Sequence, residues 1–258
     1  STPLVEYKDV FNGYAMGRGQ HMYEFMDSSD ESVVIRPDLT MPIGRFLATT
    51  NIELPLTFYY LGDVFMKNKK HRGDVNQVTQ GGIEMVGYEG IEAEQECFAI
   101  IKEVNETQLG NNLLLEIGDA RFSRAITDAL GLSDEERTEL LEALFTKYLP
   151  RYNELISDFK NSALYPFLTV WPRLFGTVQD IKNELNQIIL PAGAQRILDN
   201  LVDMANQVEE TGQQVRIDVS TEPLQSYYTG LTFRGYVDGV SQYIVMILKQ
   251  DNMISQLL

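Results

Sequence analysis

The chain has 258 residues, of which 44% are hydrophobic and 22% are charged. This is the composition of a globular protein, and it excludes a disordered or fibrous chain. The 21 basic and 37 acidic residues give a net charge of −16. Such a balance argues against nucleic-acid binding, because that binding depends on cations that replace the counterions of the phosphate backbone.

The numbers of cysteine and histidine residues limit the kinds of site that the chain can form. A single cysteine, Cys97, excludes an intramolecular disulfide and a multi-cysteine zinc site. We interpret it as a small buried apolar residue, the alternative being a reactive thiol. Because only His21 and His71 are available as histidine ligands, we expect no metal centre and no cofactor. No apolar run reaches the roughly 18 residues of a membrane span, and no leader is recognisable, so we predict a cytoplasmic protein without membrane contact.

The first 120 residues are rich in glycine, proline, β-branched and aromatic residues, which is typical of strands and turns. Strands are predicted over 32–36, 57–65, 77–86 and 113–117. Between the last two, apolar residues at helical spacing predict a helix over about 91–105.

The middle of the chain, 121–212, is predicted to be helical. Ser133 and Glu136 form a capping-box pattern, and a later apolar stripe ends near Gly212. Strands predicted to be antiparallel follow over 215–220, 231–237 and 241–245. The predicted fold class is α+β: an antiparallel sheet flanked by helices, with 121–212 as a helical insertion in a core of 1–120 and 213–258.

Two polar segments follow predicted strands in the first part. Asp38 and Thr40 are two residues apart, so they could face one pocket, or they could cap the helix that starts there. The basic run 67–73 could contact an anion, or it could be the solvated tip of a hairpin.

Two further segments could line a pocket. In a strand, Gln80, Gly82 and Glu84 would share one face, and the glycine would leave an open floor for a small amino-bearing ligand. A bulge or a solvent-facing strand is the alternative. Tyr227 and Tyr228 could wall a pocket and offer their hydroxyls, or they could pack in the core or at its rim.

In their order along the chain, these segments resemble the catalytic domain of histidyl-tRNA synthetase, a class II aminoacyl-tRNA synthetase. The resemblance rests on Arg36-Pro37-Asp38-Leu39-Thr40, Leu61-Gly62-Asp63-Val64-Phe65, Gln80-Gly81-Gly82-Ile83-Glu84 and Tyr227-Tyr228-Thr229-Gly230-Leu231-Thr232-Phe233. It covers nearly the whole chain, and the helical middle matches the insertion of the synthetase. It implies a six- or seven-stranded antiparallel sheet flanked by helices, and usually a dimer.

The chain departs from the synthetase where that family carries arginines. Met66 stands in place of the arginine that holds the ATP α-phosphate, and Pro223 in place of the one that acts on the histidine carboxylate. The tail 246–254 resembles the motif-3 helix, with Asn252 at the position of its arginine. Loss of one donor to developing negative charge typically costs about 2.7–4 kcal/mol, so the loss of three predicts little amino-acid activation. The family's Gly-Gly-Arg-Tyr-Asp loop is also expected after Val245, and we predict that residues are missing there.

A synthetase-like chain that lacks these arginines, with no anticodon-binding domain expected after Leu258, resembles the regulatory subunits of ATP phosphoribosyltransferase. The resemblance implies a non-catalytic subunit for the first step of histidine biosynthesis. It implies a self-dimer and a hetero-octamer with the short-form catalytic subunit, with L-histidine as a feedback effector and no tRNA as partner. Two alternatives stay open: a catalytic-domain fragment of a histidyl-tRNA synthetase, and a free-standing histidine-binding module.

The same resemblance assigns candidate histidine contacts. Asp38 matches the acid that meets the α-amino group, and Thr40 matches its neighbour. Gln80 and Glu84 match the pair on the pocket floor. The tyrosines near the imidazole are matched by Tyr227 and Tyr228.

Overall fold

The structure is a computed structural model of the chain. It describes residues 2–11, 21–50, 52–67, 75–88, 92–220, 230–240 and 244–248. The described residues fall into two compact units, one that ends at Glu96 and one that begins at Cys97. No helix among them is long and apolar enough to cross a membrane.

The first unit is built from short strands, a long hairpin and one helix. Its elements are β1 (Val5–Tyr7), a 3-10 turn (Lys8–Phe11), β2 (Tyr23–Met26), β3 (Ser32–Ile35), α1 (Thr40–Ala48), β4 (Leu56–Phe65) and β5 (Gln77–Val86). Strand β3 pairs antiparallel with both β1 and β2, and β4 pairs antiparallel with β5 over ten residues. The strands predicted over 32–36, 57–65 and 77–86 are therefore confirmed to within one residue.

An ion pair between a buried carboxylate and a half-exposed arginine joins β1 to α1 in this unit. The carboxylate of Glu6 is almost fully buried and accepts a hydrogen bond from Arg45 at 2.8 Å. Nearby, Phe11, Val34 and Met41 form a small apolar cluster. A buried carboxylate is tolerated only when it is paired, so Arg45 is required for this packing.

Helix α2 (Glu92–Gln108) includes the boundary between the units, and the second unit continues with a sheet and a set of helices. Its elements are β6 (Leu113–Asp119), α3 (Ala120–Ala129), α4 (Asp134–Phe145), α5 (Leu149–Ile156), α6 (Tyr165–Val170), β7 (Phe175–Gly176), α7 (Val178–Glu184), α8 (Ala192–Glu210), β8 (Gln214–Asp218), β9 (Leu231–Val237) and β10 (Val245–Leu248). Two 3-10 turns, Ser157–Phe159 and Trp171–Arg173, follow α5 and α6.

The sheet of the second unit has the strand order β10-β9-β6-β8-β7. The prediction that β8 joins an antiparallel set with β9 is wrong, because β8 lies parallel to β6 on the other side. Parallel neighbours need a long crossover, and helices α3 to α8 supply it. Within the described residues, the strands pair into sheets of three, five and two rather than one sheet of six or seven.

The core of the second unit lies between this sheet and its helices. Trp171 and Tyr152 are fully buried, and each satisfies its polar atom: Trp171 Nε1 donates to Val219 O and Tyr152 Oη donates to Leu168 O, both at 2.8 Å. The predicted capping box is confirmed, since Ser133 and Glu136 exchange hydrogen bonds at the start of α4.

Lys147, which follows α4, forms a second set of polar contacts. Lys147, in the left-handed region at φ 55°, donates to Pro172 O at 3.0 Å, to Ser220 O at 3.0 Å and to Ser220 Oγ at 2.7 Å. Burial lowers the pKa of Lys147, while the charges of Asp218 and Glu116 act in the opposite direction. The lysine thus joins three segments of this unit.

Two local predictions need correction. Residues 246–248 belong to strand β10, which pairs antiparallel with β9, so a motif-3 helix does not begin at Met246. Of the strand predicted over 241–245, Val245 lies in β10 and 241–243 lie outside the described residues. That residues are missing after Val245 stays a prediction. Cys97 is half-buried rather than buried.

Candidate functional site

A polar cluster lies in the first unit, where the start of α1 meets the hairpin of β4 and β5. Thr40 Oγ1 donates to Glu84 Oε1 at 2.6 Å. Asp38 Oδ1 accepts from Met41 N at 3.0 Å, so this side chain also caps the first turn of α1. The two roles that the sequence left open for Asp38 are therefore compatible, because a capping carboxylate can act on the pocket through its charge.

The alternation along β5 agrees with the sequence. Gln80, Gly82 and Glu84 are half-buried, whereas Gly81 and Ile83 between them are exposed. We call the side of the hairpin that carries Gln80, Gly82 and Glu84 the pocket face. Three candidate contacts, Thr40, Gln80 and Glu84, thus occur with Asp38 in one region of the unit.

The open floor predicted over Gly82 is wrong. Gly82 pairs with Tyr60 across the hairpin, and a methyl group at Gly82 would overlap Cζ and Oη of that tyrosine. The space that the glycine leaves is therefore filled by the Tyr60 ring. A ligand would have to lie beside this ring rather than on the backbone.

Tyr60 links the polar groups of the pocket face. Gln80 Nε2 donates to Tyr60 Oη at 3.4 Å, and the tyrosine hydroxyl acts on Glu84 by lowering the pKa of its carboxyl group. The Glu84 carboxylate accepts a hydrogen bond from the hydroxyl of Thr40, and the nearby Tyr60 hydroxyl acts to lower the pKa of Glu84. Sequence reasoning did not single out Tyr60, although an aromatic residue opposite a strand glycine could have indicated it.

Burial and like charge dominate the electrostatics of the cluster. Burial raises the pKa of Glu84, and the negative charge of Asp38 raises it further, while hydrogen bonds from Thr40 and Tyr60 act in the opposite direction. Burial also raises the pKa of Tyr60, as does the charge of Glu84. No basic residue is among the described groups that shift the pKa of Glu84. An ammonium or imidazolium group would supply the missing opposite charge.

Two described basic residues of this unit, Arg36 and Lys67, have contacts of their own. Arg36 donates from Nε to Asp63 O and from Nη1 to Thr2 O, both at 2.8 Å. Its Nη2 lies against Gly62, where an added Cβ atom would be only 2.8 Å away. Arg36 is therefore engaged in holding the backbone together. Lys67 is exposed and pairs through its backbone with His21.

Met66 is the residue that the resemblance matches with the nucleotide-binding arginine of the synthetases. It follows β4, it is half-buried, and its backbone N–H donates to Asn76 O at 2.9 Å. The other predicted positions, Pro223, Tyr227, Tyr228 and Asn252, lie outside the described residues, as does 68–73 of the basic run. Among the described residues, no group of three or more histidine, cysteine or acidic side chains is placed to hold a metal ion.

Comparison with known proteins identifies the family. The model of the histidyl-tRNA synthetase family matches residues 1–246. The ATP phosphoribosyltransferase regulatory subunit of Limosilactobacillus fermentum is 37% identical over 98% of this chain and 66% of its own length. Its counterpart from Lacticaseibacillus casei is 39% identical over 98% of this chain and 67% of its own length. The chain thus spans about two thirds of the length of these curated relatives.

Solved structures agree on the fold. An ATP phosphoribosyltransferase regulatory subunit/histidyl-tRNA synthetase from Bacillus halodurans superposes with a TM-score of 0.82 at 22% identity, over all of this chain and 68% of that one. An ATP phosphoribosyl transferase complex from Thermotoga maritima gives 0.68 at 18% identity, over 95% of this chain and 83% of the matched one. The predicted class II synthetase-like α+β fold is confirmed. The chain belongs to the histidyl-tRNA synthetase family, on the branch named as ATP phosphoribosyltransferase regulatory subunits.

Proposed function

We propose that this chain acts as the regulatory subunit of ATP phosphoribosyltransferase and that its pocket face binds L-histidine without activating it. The observation that carries the proposal is the Glu84 carboxylate, which accepts a hydrogen bond from Thr40 and whose pKa is shifted by Tyr60 and by the charge of Asp38. The names of the curated relatives support the enzyme to which the subunit would belong.

The chemistry of the pocket face favours an amine or imidazole ligand. The carboxylate of Glu84 and the amide oxygen of Gln80 are acceptors on this face, and the hydroxyl proton of Thr40 is directed to Glu84. Burial and the charge of Asp38 raise the pKa of Glu84. A bound cation would lower this pKa, because it stabilises the ionised carboxylate. By linkage, the ionised form of Glu84 would bind the cation more tightly than the protonated form does. We propose that Asp38, Thr40, Gln80 and Glu84 contact histidine, with Tyr227 and Tyr228 completing the site as the resemblance implies.

The same region is poorly suited to amino-acid activation. Adenylate formation depends on fixed cations around the phosphates, and Met66 stands where the family's first arginine would be. Arg36 could not replace it without giving up its bonds to Asp63 O and Thr2 O. The alternative function, that of a histidyl-tRNA synthetase fragment, needs such a replacement.

The assembly and location are proposed on the resemblance. We propose a self-dimer within a hetero-octamer that contains four short-form catalytic subunits, in the cytoplasm and without tRNA. The Thermotoga maritima structure, described as a complex, supports a catalytic partner. The division into a core of 1–120 and 213–258 with a helical insertion at 121–212 stays a prediction.

Reconstitution with a short-form catalytic subunit tests the function. Phosphoribosyl transfer should rise when the chain is added, and histidine should inhibit the complex more strongly than the catalytic subunit alone. ATP–pyrophosphate exchange with histidine should stay at background, whereas a complete histidyl-tRNA synthetase gives a signal in the same assay. Exchange by this chain would favour the synthetase alternative. Histidine binding without any effect on the transferase would favour the free-standing histidine-binding module.

A further inference from the structure

We propose that Tyr60 is a positioning residue of the histidine pocket, which fills the space over Gly82 and fixes Gln80 and Glu84 as acceptors turned toward the ligand. This inference rests on the proposed function of the pocket. Nothing in the resemblance to the synthetases assigned a role to this tyrosine.

The first support is steric. Tyr60 and Gly82 are direct partners in the β4–β5 ladder, and the ring lies so close to the glycine that a methyl group there would overlap it. The neighbouring tyrosine, Tyr59, points to the opposite side of the hairpin and is 89% exposed. The hairpin therefore holds one of two adjacent tyrosines over the pocket face and leaves the other in solvent.

The second support is the direction of the hydrogen bonds. Gln80 Nε2 donates to Tyr60 Oη at 3.4 Å, which leaves the amide oxygen of Gln80 as its remaining acceptor. The hydroxyl of Tyr60 also acts to lower the pKa of Glu84, and the Glu84 carboxylate accepts a hydrogen bond from Thr40 at 2.6 Å. Without the phenol, the Gln80 amide could rotate and present a donor, which is the wrong group for an ammonium or an imidazole N–H.

The test compares Tyr60→Phe with Tyr59→Phe in the full chain. Calorimetric titration should show histidine bound about tenfold more weakly by Tyr60→Phe, as expected for loss of a hydrogen bond to a charged group. The pH below which histidine affinity falls should move upward, because the Glu84 carboxylate has lost a donor. Tyr59→Phe, the same change on the exposed face, should match the wild type in both respects. Unchanged affinity in Tyr60→Phe would overturn the proposal.

A ligand-free measurement separates this inference from the proposed function. In carbon-13 spectra of labelled glutamate carboxyl groups, with Glu84 assigned from the Glu84→Gln variant, Tyr60→Phe should raise the pKa of Glu84 and Tyr59→Phe should not. If the wild type binds no histidine, the proposed effector is wrong, and this titration alone decides the role of Tyr60. An unshifted Glu84 resonance in Tyr60→Phe would refute that role.

A second pair of variants tests the contact between Tyr60 and Gly82 by substitutions on β5. Gly82→Ala should displace the Tyr60 ring and weaken histidine binding at least as much as Tyr60→Phe. Gly81→Ala is the matched control, because its new methyl would lie 3.4 Å from Leu61 Cδ1 on the exposed face. Equal histidine affinity in the two glycine variants would contradict the placement of the ring.

Discussion

The substitution Glu84→Gln should stabilise the chain while weakening histidine binding. The structure holds this carboxylate in a place that disfavours its charge, because burial and the charge of Asp38 both raise its pKa. A group whose pKa is higher in the folded state contributes stability below its unfolded value, and loses that contribution as the pH rises through the folded value. Each unit of difference corresponds to about 1.4 kcal/mol. Glutamine is neutral at every pH and escapes this loss.

The opposing effect is the weaker hydrogen bond from Thr40, which a neutral amide oxygen can still accept but without assistance from charge. We expect the balance above pH 7 to be a gain of about 1 kcal/mol, within the range that relief of unfavourable charge commonly gives. For a chain of this length the gain is about 2–4 °C in Tm. Histidine binding should fall roughly 10- to 100-fold, because a charged hydrogen-bond partner is lost.

Scanning calorimetry between pH 4 and 8, with histidine titrations alongside, measures both effects. The difference in Tm between Glu84→Gln and wild type should be small near the ordinary glutamate pKa of 4.5 and should grow as the pH rises. Glu53→Gln, a change at an exposed carboxylate of the same unit, should show neither effect. A Glu84→Gln protein that melts below the wild type at pH 8, or a difference independent of pH, would refute the electrostatic argument. Unchanged histidine binding would remove Glu84 from the site.

The Arg45–Glu6 ion pair and the hydrogen bonds of Lys147 give stability predictions that urea unfolding can check. Arg45→Met should lower the free energy of unfolding by about 3 kcal/mol, since it leaves the carboxylate of Glu6 buried without its cation. The control Lys8→Met breaks an exposed ion pair and should lower it by less than about 1 kcal/mol. Equal losses in the two variants would contradict the argument. Lys147→Met should cost about 2 kcal/mol, because three hydrogen bonds are lost. The exposed Lys182→Met is its control, and a shared unfolding midpoint would refute that estimate.

Local sequence patterns predicted the elements because their causes are local. The β-branched and aromatic residues along β4 and β5, and the glycine or aspartate residues that bound such runs, placed both strands to within one residue. The capping box at Ser133 placed the start of α4 for the same reason. Pairing partners are not local, so the position of β8 beside β6, in parallel, could not be obtained from the strand's own residues.

The end of the described chain shows how a resemblance can mislead. The segment from Met246 was matched to a helix because the motif that follows in the synthetases is helical. In this chain, residues 245–248 instead extend the sheet by pairing with β9. Val245, Met246, Ile247 and Leu248 are four apolar residues in a row, a pattern that periodicity alone does not assign to strand or helix.

The candidate site was predictable in composition but not in shape. A period of two placed Gln80, Gly82 and Glu84 on one face, as the structure has them. The group over Gly82 depended on the register of the partner strand. Counting back from the pairing of Phe65 with Gln77 brings Tyr60 opposite Gly82, so the filled floor could have been inferred once the hairpin register was assumed.

Recognition of an amino acid and its activation place opposite electrostatic demands on one pocket. An amine is bound by acceptors, and the hydroxyl of Thr40 keeps Glu84 in that role by donating a hydrogen bond to it. A triphosphate brings several negative charges, which must be met by cations at fixed positions. With Met66 after β4, and with Arg36 bonded to backbone oxygens, the described part of the pocket face would oppose a triphosphate with the charges of Asp38 and Glu84. The features that would suit the proposed site to a free amine would therefore also oppose amino-acid activation there.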